Sequence, residues 1–420
     1  MKNHLINLLL ENGNINVSVR DYYVRNHLYI LALSIFLFFL LMCACSPKQE
    51  QVEKIIEDGV EVVLNGNIPL NSENNENIMV ISELFAIDTE DQATAALGLT
   101  DIGQFMSGEC FDIDKNGNIF LLCMQNKDHF IYKFDNTGRF LFAFGHEGQG
   151  PGEFSQQIRL NIYTNSSGRE EIIVTDESNR KFVRMDLEGN VIEERKTDSP
   201  LISVYPLSNG NYLVFKRIFD PEGKYLAVYP LSLVDSGFNI LKELDSQKIP
   251  NPMAGEMLKG TYHVFSWCVS DQKIYTGFQE RGYEIYVYDF DGNMIRKIKK
   301  EFTPVAISED HKKKFMAQFE NPMFDDIRKK IYFPDSMPAY HAFYCDDTGR
   351  LFVMTYERGN SSNEYIYDTF DGEGILIGRI PLSIHQDEAG VYAKIASDRL
   401  YALEEKESGY KRLAVYELKE

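Results

Sequence analysis

The chain has 420 residues, 44% hydrophobic and 25% charged, an ordinary globular composition that excludes wholesale disorder and collagen-like repeats. That length allows one large domain or two moderate ones. A formal net charge of −20 repels phosphate backbones and argues against nucleic acid as a partner, while 24 Tyr and 28 Phe against one Trp favour strands.

The first predicted element is an apolar block from Leu28 to Ala44, with Arg20 and Arg25 upstream and Cys45-Ser46-Pro47-Lys48 at its end. A basic flank, an apolar stretch and a small residue before the cut describe a secretory signal. The ending Leu41-Met42-Cys43-Ala44-Cys45 resembles a bacterial lipobox. That resemblance implies cleavage after Ala44 and diacylglyceryl transfer to Cys45. Residues 1–45 are then a signal peptide with lipobox, and the membrane is a partner through the lipid on Cys45. The expected place is the cell envelope, either outer membrane, periplasmic or surface-facing. An uncleaved membrane anchor is the alternative, because the block is near the roughly 18-residue lower limit for spanning. Residues 46–77 are polar and Asn/Glu-rich near their end, and read as a tether or linker with one short edge strand, Val60 to Leu64.

From residue 78 to the end, short alternating strands are separated by turn residues. One unit recurs: a strand, an Asp with a tight Gly turn, and another strand. It appears at 130–145, 181–195, 284–298 and 364–380, with a looser copy at 225–244. The turn glycines Gly138, Gly189, Gly237 and Gly292 follow at intervals of roughly 50 residues, the spacing of propeller blades. Gly372 comes later by about one helical insertion. A second hairpin precedes each unit, at 110–122, 204–215, 267–278 and 343–354. The stretch 308–338 breaks the rhythm: Ser308 caps a helix start at Glu309-Asp310 and Pro322 ends it, so a helical insertion lies between the fourth and fifth units. The C-terminus, 393–418, supplies three strands, and Ile78–Asp88 is expected to supply the fourth. The prediction is an all-β, six-bladed β-propeller over 78–420, closed by an N-terminal strand, which removes exposed edges.

GRFLFAFGHEGQGPGEF (138–154) followed by EIIVTDESNRKFVRMDLEGN (171–190) is similar to NHL repeats, with Val174, Asp176, Asn179 and Arg180 on the pattern. The whole chain resembles the NHL-like six-bladed β-propeller lipoproteins of bacteria. The resemblance implies that fold and an envelope location, and a group largely without assigned activity.

Chemistry-bearing motifs are sparse. Asp112-Ile113-Asp114-Lys115-Asn116-Gly117 resembles the start of a calcium loop, but its twelfth position is Cys123 and the flanking strands make it a hairpin turn. No HExxH or GxSxG is present, and Gly145–Gly152 leads into a strand, so no metal, cofactor or catalytic residue is assigned. A two-residue turn at Asn116-Gly117 would set Cys110 opposite Cys123 for a disulfide, whereas a three-residue bulged turn would separate them. Geometry puts first-strand starts and second-strand ends on one face, around the central channel. Those positions include Glu109, Arg159, Lys216, Arg217, Trp267, Arg281, Tyr340, His341 and Arg358. Such a cationic, aromatic rim suits a small anionic ligand, or it is a set of internal ion pairs. The leading reading is a monomeric binding or scaffold module for a protein partner or small ligand. The alternative is a metal-dependent lactonase or lyase in which Glu109, Asp176 and Asp346 converge. A third possibility, which also needs no active site, is a periplasmic partner of an export or uptake complex.

Overall fold

The computed structural model describes residues 52–70, 80–99, 102, 109–123, 128–261, 264–360, 364–383 and 393–419. The lipobox with Cys45 and the apolar block before it lie outside the described residues. Among the described residues no helix is long and apolar enough to cross a membrane.

Six blades of four antiparallel strands follow around the ring, five as four-stranded sheets and blade 4 as part of a six-stranded sheet. Blade 1 starts with the strands Phe111–Ile113 and Ile119–Leu122, blade 2 with Ile158–Thr164 and Glu170–Asp176, and blade 3 with Ser203–Pro206 and Tyr212–Phe215. Blade 4 starts with Phe265–Ser270 and Lys273–Phe278, and blade 5 with Ala342–Cys345 and Leu351–Arg358. Blade 6 combines Ala393–Ala396, Arg399–Glu405 and Lys411–Lys419 with Val80–Asp88, the fourth strand. Ile81 stands opposite Leu418 and Ile87 opposite Leu413, so the two ends of the ring meet in one antiparallel ladder. Closure occurs as expected.

Burial falls from the middle strands outward. Ile119–Leu122 and Ile131–Phe134 are buried at every position, whereas the fourth strand Val191–Lys196 has no buried residue. The middle strands are covered on both faces by neighbouring blades, so their sequences are continuous apolar runs rather than alternations. The core is therefore a set of interblade layers. The largest joins Phe85, Ile87 and Tyr401 to blade 1 and on to Val174 and Met185 of blade 2.

Among the described residues, a series of five-residue turns links strands on one face of the ring. In each, the first residue's N–H donates to the fifth residue's carbonyl and the fourth residue's N–H donates to the first residue's carbonyl, as at Asp114–Asn118 and Asp135–Arg139. Where the first residue is Asp, its carboxylate also accepts backbone N–H groups: Asp135 Oδ1 takes those of Thr137 and Arg139 at 2.9 and 3.0 Å. The fourth residue is left-handed, which glycine adopts without a Cβ clash, and Gly138 and Gly292 hold φ of +83° and +79°. Two expected turn positions move by one or two residues. Phe238, not Gly237, carries the positive φ in blade 3, and Gly374, not Gly372, carries it in blade 5.

This turn also corrects the cysteine pairing. Phe111 stands opposite Leu121 and Ile113 opposite Ile119, which is the three-residue bulged register. The Leu122 N–H donates to the Cys110 carbonyl at 2.8 Å, so Cys110 and Cys123 are out of register, and both are buried free thiols. The disulfide instead joins Cys268 and Cys345, with Cα atoms 6.1 Å apart, on the first strands of blades 4 and 5.

The expected tether is more structured than a linker with one edge strand. Val52–Glu57 and Val60–Asn65 form a hairpin, and its second strand adds parallel to the outermost strand of blade 4, Met294–Lys300. The buried amide of Asn65 then reaches blade 5, donating to the Gly374 carbonyl at 2.9 Å and accepting the Leu376 N–H at 2.8 Å.

The insertion is helical as predicted. Ser308 accepts the His311 N–H at 3.1 Å and starts the helix Glu309–Ala317, and a short turn at Pro322–Phe324 leads into Asp325–Arg328. It returns as Ile331–Tyr332, parallel to Leu258–Lys259 of the blade 3 to blade 4 connection. The Phe333 ring lies over Gly260, where a Cβ would fall 2.4 Å from it. Connection and insertion together form a cap.

Candidate functional site: the channel rim and the blade 2–3 cleft

The antiparallel order puts the tight turns on one face and the long connections, with the cap, on the other. The predicted rim residues belong to the connection face, but the structure spends most of their charge internally. Arg159 donates to Glu177 Oε2 at 3.5 Å and to the Ile202 carbonyl at 3.2 Å. Arg217 reaches the other Glu177 oxygen at 3.5 Å and stacks on Phe219. Arg281 grips both oxygens of Asp245 at 2.7 Å with one nitrogen and lies 3.9 Å from the Tyr286 ring centre. Arg358 lies 3.6 Å from the Tyr365 ring centre.

The aromatic members are built into the walls. Tyr340 is fully buried, packs edge-on to Tyr283 at 5.4 Å, and sets its hydroxyl against Gly277, where a Cβ would fall 2.4 Å away. Burial, offset in part by Arg281, pushes the Tyr340 phenol far above its usual value. His341 is buried beside Tyr356, with Gln279 donating to the His341 carbonyl at 2.7 Å. Trp267 meets Tyr205 edge-on at 6.5 Å. These rim residues thus fall into five separate groups, Arg159–Glu177–Arg217, Arg281–Asp245–Tyr340, Gln279–His341–Tyr356, Tyr205–Trp267 and Arg358–Tyr365.

The channel wall also holds Asp112, which the sequence suggested only as part of a hairpin turn, and the expected Glu109, both with partners that the sequence did not show. Asp112 accepts the Ile162 N–H at 2.7 Å and pairs with Lys394 of blade 6, bridging three blades. Glu109 sits at φ +58° beside Asn161 and Ser203 of blades 2 and 3, with its Oε2 buried. Burial pushes its carboxyl up, against the pull of Arg159. These partners come from different blades, so no local spacing announced them.

The three carboxylates of the enzymatic alternative do not converge. Asp176 is consumed by its own loop, accepting the Ser155 N–H at 2.8 Å and the Asn179 N–H at 3.0 Å. Asp346 heads a tight turn on the opposite face, accepting the Thr348 and Arg350 N–H groups at 2.9 Å. Only Glu109 stands at the channel. Among the described residues no group of three or more His, Cys, Asp or Glu is placed to hold a metal ion.

Lys216 differs from the other rim cations. It is half-buried, has no acidic partner among the described residues, and lines a cleft of about 450 Å³ between blades 2 and 3. Lys196 and Arg195, from the outermost strand of blade 2, line the same cleft, with the hydroxyls of Ser199 and Ser232 and the apolar Val234.

A closed ring of six sheets with its connections gathered on one face defines a six-bladed β-propeller. Residues 111–370 match the family described as DUF5128, 6-bladed beta-propeller, and the chain belongs to that family. Nothing among the curated proteins matches it. Among solved structures it is similar to a putative exported protein of Bacteroides fragilis, 15% identical over 86% of this chain and 100% of that chain, with a TM-score of 0.48. A DUF4221 member from Bacteroides vulgatus is 12% identical over 89% of this chain and 99% of that one, TM-score 0.46. A gluconolactonase of Xanthomonas campestris is 12% identical over 81% and 100%, TM-score 0.38.

Proposed function

We propose that this protein is a lipoprotein anchored in the cell envelope through Cys45, and that its NHL-like propeller is a binding or scaffold module for a protein partner or small ligand. The observation that carries the reading is the surface of the cap. Met253 and Met323 are 81% and 75% exposed, with Met257 and Tyr332 exposed beside them in the chain. The two pieces are tied together where Lys330 Nζ donates to the Pro252 carbonyl at 2.8 Å. Adaptable thioether side chains held in water on an ordered cap cost solvation unless a partner covers them. Location is supported by the basic-flanked apolar block before Cys45 and by the Cys268–Cys345 bond, since disulfides persist in oxidising compartments.

Two measurements test this. Cells expressing the full chain and fed an alkyne fatty acid should label it and hold it in the membrane fraction; Cys45→Ala should lose both, and equal labelling would refute anchoring at Cys45. A photo-crosslinking residue at 253 or 323 should give one discrete adduct in cells, while one at Asn209, on the tight-turn face, should not. Equal adducts from both faces would contradict the cap as the binding surface.

A further inference from the structure

The blades are joined on the tight-turn face by a repeating contact. In blades 1, 2, 4 and 5 the left-handed glycine of the outer turn is covered by a side chain from the fourth strand of the preceding blade. Phe85 of blade 6 covers Gly138, Phe144 of blade 1 covers Gly189, and Leu244 of blade 3 covers Gly292. Ile298 of blade 4 covers Gly374, where a Cβ would fall 2.6 Å from it. Between blades 2 and 3 the contact is inverted. The turn Asp235–Asn239 has a phenylalanine at the glycine position, Phe238 at φ +65°. The blade 2 strand supplies a cation instead of an apolar side chain: Arg195 lies 4.5 Å from the Phe238 ring centre and donates to the Ser236 carbonyl at 2.6 Å.

A bulky side chain in the left-handed region costs of order 1 kcal/mol and persists only where its surroundings hold it. Here Phe182 stacks on Phe238 at 5.2 Å, with Tyr212 tilted against it at the same distance. The cleft of about 450 Å³ opens at this one rebuilt junction, and Phe238 and Arg195 both line it. Small-molecule sites are usually clefts of a few hundred Å³ in which a few placed polar groups orient the ligand, and this one is lined by more polar than apolar surface. Arg195, Lys196 and Lys216 face a single acid, Asp198, in a chain whose net charge is −20.

We infer that the blade 2–3 cleft is a binding site for a small amphiphilic anion, a carboxylate or phosphate head on an apolar body, with Lys196 and Lys216 holding the head. The inference rests on the reading of the propeller as a binding module and names the ligand class. The apolar body lies along Leu201, Val234 and Ile240, and the hydroxyls of Ser199 and Ser232 complete the polar end. Both lysines are free to serve, because neither ammonium has an acidic partner among the described residues.

Calorimetry on the full chain in nonionic micelles tests this, with the heat of empty micelles subtracted. The probes are octanoate, 4-phenylbutyrate and phenyl phosphate, compared with neutral 4-phenylbutanamide and with inorganic phosphate. At least one amphiphilic anion should saturate at one per chain, with the amide and the bare phosphate at least about tenfold weaker. The Lys196→Gln/Lys216→Gln pair should weaken it by about tenfold or more while melting like the wild type. Ser199→Trp, which fills the cleft and keeps every charge, should do the same. Absence of saturable binding by all three anions, or affinity unchanged in the lysine pair and in Ser199→Trp, would overturn the site. The crosslinking from the cap does not depend on the cleft, so a failure here and a failure of the binding-module reading give different results.

Discussion

At the scale of single residues, the tight turns were the most legible feature of the sequence, because their chemistry is local. An Asp followed three residues later by Gly states both the acceptor and the left-handed position. The Thr137 hydroxyl, with the backbone N–H groups of Thr137 and Arg139, holds the Asp135 carboxyl at about 2. The unfolded value is near 3.9, so this group adds stability above about pH 4 that is lost as pH falls toward its folded value. Denaturant unfolding between about pH 5 and pH 2 should therefore show a smaller loss in Asp135→Asn than in the wild type. Identical slopes would sink the assignment. Phe238, the odd member of the series, was not legible, because Gly237 one residue earlier offers the expected turn glycine. Phe238→Gly should relieve strain but lose the ring packed on Phe182 and Tyr212, for a net cost of about 1–2 kcal/mol by urea titration. A gain in stability would contradict the packing role. Of the two readings of the rim, a cradle for an anion or a set of internal ion pairs, the pairing of Arg159 and Arg217 with Glu177 and of Arg281 with Asp245 favours the second for those three cations, and the sequence could not show it because each acid lies in another loop or strand.

At the scale of elements, strands and the helical insertion follow from periodicity and capping, whereas contacts between elements far apart in sequence do not. Cys268–Cys345 illustrates this. Each cysteine lies on the first strand of its own blade, and only the ring's curvature brings the two together across 77 residues. Cys110 and Cys123, on adjacent strands, invited a pairing that the bulged register removes. In the chain-entropy account, removing the Cys268–Cys345 bond, which closes a loop of 77 residues, costs about 4.5 kcal/mol, and measured losses run about 2–5 kcal/mol. Cys268→Ser/Cys345→Ser should lower the unfolding free energy from urea titration by that amount, and an unchanged value would show that the bond adds nothing. The hairpin Val52–Asn65 was seen only as one edge strand because its parallel partner, Met294–Lys300, lies over two hundred residues away. Asn65→Ala should strand the Leu376 N–H in a buried site at about 1–3 kcal/mol, read as a lower melting temperature. No change would refute the bridge between blades 4 and 5.

For the whole molecule, the number of blades and the closure were legible because repeat spacing and a missing outer strand are global properties of the sequence. The ligand and partner surfaces were not, since each arises where two blades or two connections meet. Both the cap and the cleft depend on the ring being shut, which fixes each blade against the next and leaves departures such as Phe238 as local exceptions in a rigid frame. Hydrogen exchange on the full chain tests that closure most directly. The amides of Val80–Asp88 that face Lys411–Lys419 should exchange as slowly as those of that strand, opening only with global unfolding, because the two strands share one ladder. Rapid exchange of 80–88 while the other five blades stay protected would mean the first strand is not the closing one, and the ring described here would be wrong.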